Sequence, residues 1–485
     1  MSDPAQRLER WVALAVAFIL VVSRSYVFTA YEQTSFDSDQ ATIGLMAKHL
    51  SEGRAFPLFM YGQPYLLAVE AWLMVPVFWI AGPTVAALRT SLILSNLAAA
   101  ALVIIGLERW GRLRPLYGLA AAMFFIFPPP FLTSHLLDGG GGNILPFVFV
   151  LVAWPLRDRP IALGATLAIG FLVREFTLAV IPVLLAGQIW HRSLWLPVTW
   201  KRWLIVAVTF VAVMTGIRAL HVFADPLGPG TRGQQIVWSD STQMDSLLNR
   251  LTVRPAELPE RAWLFVTERM PELLGGRATP SSVGAWGHAW IGWLLGLGAL
   301  VACARIAYLT IAHGKHASFA WYLTGIGVVA ACAYIATRPA DSVVHRYFLL
   351  AVFIPIGLTG LWLTLEPHRW WRHVALACVA AWAVSSGVDN WRFLAPWLAG
   401  QPNPPRQIAN ALEAQGIRVA ETTYWRAYKI AFLTQERVKL ASSDVVRVAE
   451  YQALAAAEGD RLERLQDAPC PGGKPAGGMF LCLKR

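Results

Sequence analysis

Apolar runs long enough to cross a bilayer, separated by short basic connections, limit most strongly what this chain can become. "WVALAVAFILVV" (residues 11–22), "SLILSNLAAAALVIIGL" (91–107) and "LIVAVTFVAVMTGI" (204–217) are examples. Hydrocarbon offers no water to the peptide groups, so each run must close its own backbone hydrogen bonds, and helices are expected. Composition agrees: 56% of the 485 residues are apolar and 15% charged, more apolar surface than one soluble core of this length would bury. The chain reads as a multi-spanning α-helical membrane protein, and its 22 tryptophans suit interfacial belts.

The net charge of +11 raises nucleic acid as a partner. The basic residues instead fall in short clusters between apolar runs: Arg7/Arg10, Arg109/Arg112/Arg114, Arg157/Arg159, Arg192/Lys201/Arg202, Arg305/Lys315 and Arg369/Arg372. That pattern is membrane topology, and no nucleic-acid partner is expected. With every cluster cytoplasmic, the N-terminus is inside, the C-terminus outside, and the chain makes about 11–13 crossings. Segments 31–64, 134–143, 224–288, 338–346 and 389–485 then share the outer side. Residues 1–30 lack a small-residue cleavage site after the apolar run and read as a retained first helix. "YLLAVEAWLMVPVFWIAG" (65–82) is long enough to cross, but one crossing there would invert every later cluster. A re-entrant or interfacial helix is therefore expected.

The membrane part is assigned to 1–388. Residues 389–485 are more polar and read as a small soluble α/β domain outside the membrane. "PRQIANALEAQG" predicts a helix ended by Gly416, "IRVAETT" a strand, "YWRAYKIAFLTQ" a helix and "RVKLASS" a second strand, a βαβ unit to which "GMFLCLKR" adds a further strand. In an oxidising compartment Cys470 and Cys482 are either a disulfide closing a small loop or two separate thiols.

"SFDSDQATIGLMAKHLSEG" (35–53) places Asp37 and Asp39 where the first outer loop leaves the bilayer. Ile43, Met46, Ala47 and Leu50 mark one apolar face, leaving Lys48, His49 and Glu52 to water, so an interfacial helix is expected with Asp39 as its N-cap. Two carboxylates two residues apart in an extended segment point to the same side. There they suit a base or a divalent-cation ligand facing a substrate whose lipid tail stays in the bilayer. "RAFPLFMYGQPYLLAVEAW" brings Tyr61, Gln63, Tyr65 and Glu70 to the same region, with the hydrogen-bonding and stacking capacity a sugar needs, although interfacial aromatics also serve as plain anchors.

"DQATIGLMAKHLSEG" with "PLFMYGQPY" behind it resembles the first outer loop of the GT-C superfamily of integral-membrane glycosyltransferases, whose relatives include protein O-mannosyltransferases and the lipid A aminoarabinose transferase. That family usually opens Asp-Glu before an amphipathic helix. Here Gln40 replaces the Glu, Asp39 matches the catalytic aspartate, and Asp37 has no counterpart. "HRYFLLAVFIPIGL" (345–358) is similar to the family's Arg-Tyr segment, which points to His345, Arg346 and Tyr347. "GFLVREFTLAVIP" (170–182) is similar to a broken intramembrane segment bearing a basic residue, here Arg174, and "LLDGGGGN" (136–143), with His135 and Asp138, occupies a later outer loop. "YWRAYKIAFLTQERV" resembles the tail of bacterial members.

The resemblance implies an inverting glycosyltransferase. It would take a sugar from a polyprenyl-phosphate donor to an outer acceptor, with Asp39 as base and Arg174 and Arg346 on the phosphate. Membrane lipids would be further partners, a divalent cation an optional cofactor, and the bacterial inner membrane the place of action, with the site facing outward. Loop 224–288 would cover that site, and the tail would guide the acceptor. A lipid flippase or transporter is the alternative, although its usual internal duplication is not seen; a polymerase or ligase of lipid-linked glycans is a third reading. "DGGGGN" matches neither nucleotide-binding glycine pattern.

Overall fold

The computed structural model describes residues 4–140, 143–224, 253, 255–278, 287–313, 318–337 and 345–483. The expected loop 224–288 therefore lies largely outside the described residues, as does most of 338–346. Among the described residues, five helices are long and apolar enough to cross a membrane: Pro4–Ala30, Val85–Arg109, Pro197–His221, Ala289–Ile311 and Phe319–Thr337. Shorter apolar helices fill the spaces between them: Val69–Ala81, Leu145–Leu156, Pro160–Val173, Glu175–Trp190 and Leu349–Leu365. The structure is thus a multi-spanning helical membrane bundle in which full-length spans alternate with short or broken ones.

The breaks have local causes. Pro128, Pro129 and Pro130 supply no backbone N–H, so helix Pro115–Ile126 stops and Pro130–Leu136 restarts at an 87° angle. Arg174 sits extended between Pro160–Val173 and the 3₁₀ turn Glu175–Ala179. Residues 65–82 hold no full-length spanning helix. They form strand Gln63–Leu67, hairpin-paired with Phe59–Met60, and then helix Val69–Ala81, whose 13 residues at about 1.5 Å each fall short of a bilayer. Close helix contacts use small residues: a Cβ on Gly357 would lie 2.2 Å from Thr324 Oγ1, and one on Gly164 2.6 Å from the Val206 carbonyl.

Ion pairs gather the basic clusters at one end of the bundle. Arg10 meets Glu108 at 2.7 Å, Arg114 pairs with Glu9, and Arg305 meets Glu366 at 2.8 Å. Arg157 and Arg202 both lie 3.7 Å from Asp158. Helix Pro4–Ala30 carries the chain from that end to the opposite one, where the first loop begins.

Helix Arg369–Leu398 overruns the boundary expected at 389, and the first helix belonging to the tail is Pro404–Ala414, stopped by Gly416 at φ +70°. The tail sheet runs in the order Lys439–Ser442, Val419–Thr422, Glu463–Gln466, Met479–Leu483, Lys474–Ala476. Its first three strands are parallel, with helix Tyr424–Leu433 crossing between the first pair, and its last two add antiparallel. Cys470 and Cys482 form a disulfide.

Candidate active site

The loop helix runs Ser38–Ser51, and its N-cap is Asp37, which accepts the Gln40 N–H at 3.0 Å. Asp39, expected as the cap, instead lies in the first helical turn. The two carboxylates therefore do not share one face of an extended strand, and they have different work to do.

The helix does not leave a face to water. Its residues from Gln40 to His49 are buried between helix Val69–Ala81 and the tail helix Tyr424–Leu433, so Lys48 and His49 do not face water. They point into the tail at Glu436, whose carboxylate receives Lys48 Nζ at 2.6 Å, His49 Nε2 at 2.9 Å, Arg54 at 2.8 Å and the Tyr451 hydroxyl at 2.9 Å. With a carboxylate at Nε2, that nitrogen is the donor, and Nδ1 bonds the Tyr61 hydroxyl at 3.0 Å. Tyr61 is fully buried in this network, which corrects its expected place beside a sugar. Burial works to raise the Glu436 carboxyl, but His49 and Lys48 outweigh it and hold the group well below the ordinary range. Phe432 lies on Gly44 so closely that a Cβ there would be 2.6 Å from its ring.

The same docking brings two tail side chains to Asp39. The Tyr424 hydroxyl donates to Asp39 Oδ1, and Arg447 Nη2 lies 4.0 Å from the same oxygen. Tyr424 is pinned at both ends of its peptide: its N–H donates to Asp444 at 2.7 Å, and its carbonyl accepts the Ser38 hydroxyl at 2.5 Å. Arg447 donates its backbone N–H to the Tyr428 hydroxyl at 2.6 Å and its Nη1 to the Gly62 carbonyl at 3.1 Å, and it stacks 5.4 Å over the Tyr424 ring. Gly62 has φ +68°, and a Cβ there would lie 3.1 Å from Arg447 Cδ, so both the turn and the arginine need glycine.

Beside Asp37 and Asp39 lies the turn after Leu136. Asp138 accepts the Gly140 N–H at 2.8 Å and the Asn143 amide at 3.1 Å, and a Cβ on Gly140 would lie 2.8 Å from Asp39 Cβ. Fully buried Arg89 donates to the Leu137 and Ser35 carbonyls below this group. Burial and the Asp138 charge push the Asp37 carboxyl up to about 7. Lys429 of the tail faces Asp37, and burial lowers its ammonium.

Two further groups complete the surroundings. Arg174, buried at the helix break, shares an electrostatic neighbourhood with Tyr65, Tyr347, Glu175 and Arg447, and Tyr347 meets Phe176 edge-on at 5.5 Å. His135 stacks on His345 at 5.4 Å, and His345 bonds Glu272 at 3.1 Å within reach of Arg346. Gln63 is half-buried in its hairpin strand, and Glu70 is buried in the first turn of Val69–Ala81. Sequence reasoning missed Arg89, Tyr424, Lys429, Glu436 and Arg447. The one signal available was the aromatic spacing of "YWRAY", which marks a packed helix face.

The described residues contain no group of three His, Cys, Asp or Glu side chains placed to hold a metal ion. Asp37 spends Oδ1 on its cap and Asp138 spends both oxygens on the turn. As arranged they do not fit a divalent cation, and no step is derived through one.

No protein-family model matches the sequence, and no curated protein matches it. Among solved structures, the Archaeoglobus fulgidus oligosaccharyltransferase in its apo form is similar at 12% identity, covering 94% of this chain and 69% of that one with a TM-score of 0.51. ArnT from Cupriavidus metallidurans, bound to undecaprenyl phosphate and in the apo state, is similar at 13% and 14% identity. Each covers 93% of this chain and 88% of its own, with TM-scores of 0.37 and 0.35. The chain shares its fold with that oligosaccharyltransferase.

Proposed function

We propose that the protein is an inverting glycosyltransferase that moves a sugar from a polyprenyl-phosphate donor to an acceptor on the side of the membrane opposite the basic clusters. The observation that carries this reading is Asp39 itself. It is a carboxylate on the first loop, with 18% of its side chain exposed and one oxygen bonded by Tyr424, which leaves the second oxygen as the one to take a proton.

The chemistry follows from that geometry. The acceptor hydroxyl gives its proton to Asp39 Oδ2 as its oxygen bonds to the anomeric carbon. The bond from that carbon to the phosphate oxygen breaks, and the electron pair leaves with the polyprenyl phosphate. Phosphate is a stable leaving group, so no general acid is needed, and cations suffice to stabilise it. Arg174, in the neighbourhood of Tyr65, is suited to that role. Arg346 lies on the His135 side, and the two histidines there are suited to the sugar. Direct attack inverts the anomeric centre. The disulfide supports an oxidising outer compartment for the tail, as in the bacterial periplasm.

The test uses the full chain in liposomes with a panel of radiolabelled undecaprenyl-phosphate hexoses and pentoses. Release of undecaprenyl phosphate, with label passing to the acceptor fraction, supports the transferase. Movement of intact donor across the bilayer without cleavage supports the flippase instead.

A further inference from the structure

We infer that the tail is part of the catalytic apparatus: Tyr424 and Arg447 are positioning residues that hold Asp39 by its Oδ1 and turn its Oδ2 toward the acceptor. The inference rests on the reading of Asp39 as base and names the groups that prepare it.

The argument is geometric. A carboxylate at the start of a helix is free to rotate about its side-chain bonds unless something holds it. Here the Tyr424 hydroxyl holds Oδ1, and the bonds from Ser38 and Asp444 fix the tyrosine backbone on both sides. The tyrosine proton is committed to Asp39, and the Arg447 guanidinium lies over the Tyr424 ring with its Nη2 4.0 Å from Asp39 Oδ1. Arg447 is itself buried and held by Tyr428 and Gly62. The result is a chain, Arg447 to Tyr424 to Asp39, built across the seam between tail and loop. Its members are anchored before any substrate arrives, which removes a reorientation step from the reaction.

Electrostatics point the same way. The other charged groups facing this pair of aspartates are Asp37 on the loop, Asp138 on the outer turn, Arg89 below them and Lys429 on the tail helix. Asp37 and Asp138 bring like charge to the neighbourhood of Asp39, whereas Tyr424 donates a hydrogen bond to it and Arg447 brings a guanidinium. The tail therefore supplies both the donor and the cation that hold Asp39.

The experiment measures Asp39 directly and does not require the donor to be known. The full chain in detergent is treated with a hydrophobic carbodiimide, which reacts with protonated carboxyls, across a range of pH, and labelling of Asp39 is read by peptide mass spectrometry. Tyr424→Phe keeps the ring and its packing, and Arg447→Met keeps much of the volume. Both should move the labelling midpoint upward by roughly one pH unit, and the acid limb of transfer should move with it. Arg406→Met, which cuts the contact between the tail and Glu32 on the loop away from Asp39, should leave the midpoint in place.

An unmoved midpoint in both Tyr424→Phe and Arg447→Met would overturn the inference. So would an equal movement in Arg406→Met, since loosening of the tail alone would then explain it. Asp39→Asn separates this from the broader reading: transfer persisting in that variant removes the base, whereas lost transfer with unmoved midpoints removes only the positioning role.

Discussion

Replacing Glu436 by glutamine removes the charge on which the loop and tail are joined. The Glu436 side chain is 3% exposed and faces Lys48 at 8% and His49 at 0%. Breaking a buried ion pair by removing one partner costs about 3–5 kcal/mol, because the charge left behind has no compensation. Lys48 keeps Glu52, at 2.9 Å, which places this case near the lower figure. A loss of about 3 kcal/mol raises the undocked population on the order of 100-fold, at about 1.4 kcal/mol per factor of ten. Tryptic cleavage after Lys48 and Arg447, both buried at the seam, follows that population when opening and closing are fast relative to cutting. The pH dependence has a definite sign. Glu436 is depressed in the folded state, so its contribution is present above the ordinary carboxylate value of about 4.3 and is lost as pH falls below it. Glu436→Gln should therefore be cleaved far faster at neutral pH and lack this acid-dependent loosening. Cleavage within about threefold of the native protein would refute the claim that this carboxylate holds the tail in place.

Asp37 carries the opposite sign. Burial and Asp138 raise it to about 7, so the folded state binds the extra proton and stability falls as pH rises through that value. Asp37→Asn keeps a capping oxygen and should match or exceed native thermal stability at about pH 8, with the native advantage returning toward about pH 5; lower stability at every pH would contradict this. Gly140→Ala drives a Cβ into Asp39 and should lower kcat on the order of 10–100-fold with the tail still docked; unchanged kcat would mean that the turn does not seat Asp39. Replacing both Cys470 and Cys482 by serine opens a loop of sequence separation 12 and should cost the tail about 2–3 kcal/mol in denaturant unfolding; a loss below about 1 kcal/mol would mean that the bridge does not constrain the unfolded tail.

What could be read from sequence follows how local each cause is. The apolar runs were legible because the bilayer forces the backbone to satisfy itself nearby; the interruption at Arg174 came only through the family resemblance, and the proline break at 128–130 was not read at all. The parallel strand–helix–strand of the tail was legible in the alternation of "RVAETT" and "RVKLASS". The start of the loop helix was not, because Ser35, Asp37, Ser38 and Asp39 can all cap. The choice falls to a tertiary contact, the Ser38 hydroxyl on the Tyr424 carbonyl. Lys48 and His49 sit at spacings that usually mean a wet face, and only Glu436, 388 and 387 residues distant, turns them inward. The partner of Asp39 is equally remote, 385 residues along the chain, so no pattern within the loop could announce it.

The central claim concerns bond cleavage at Asp39, and one measurement addresses it most directly. Native protein and Asp39→Asn, reconstituted identically, are given the same labelled undecaprenyl-phosphate sugar, and bound donor and released undecaprenyl phosphate are counted in one sample. Both proteins should bind the donor, and only the native one should cleave it in the presence of acceptor. Cleavage by Asp39→Asn at the native rate would contradict the account.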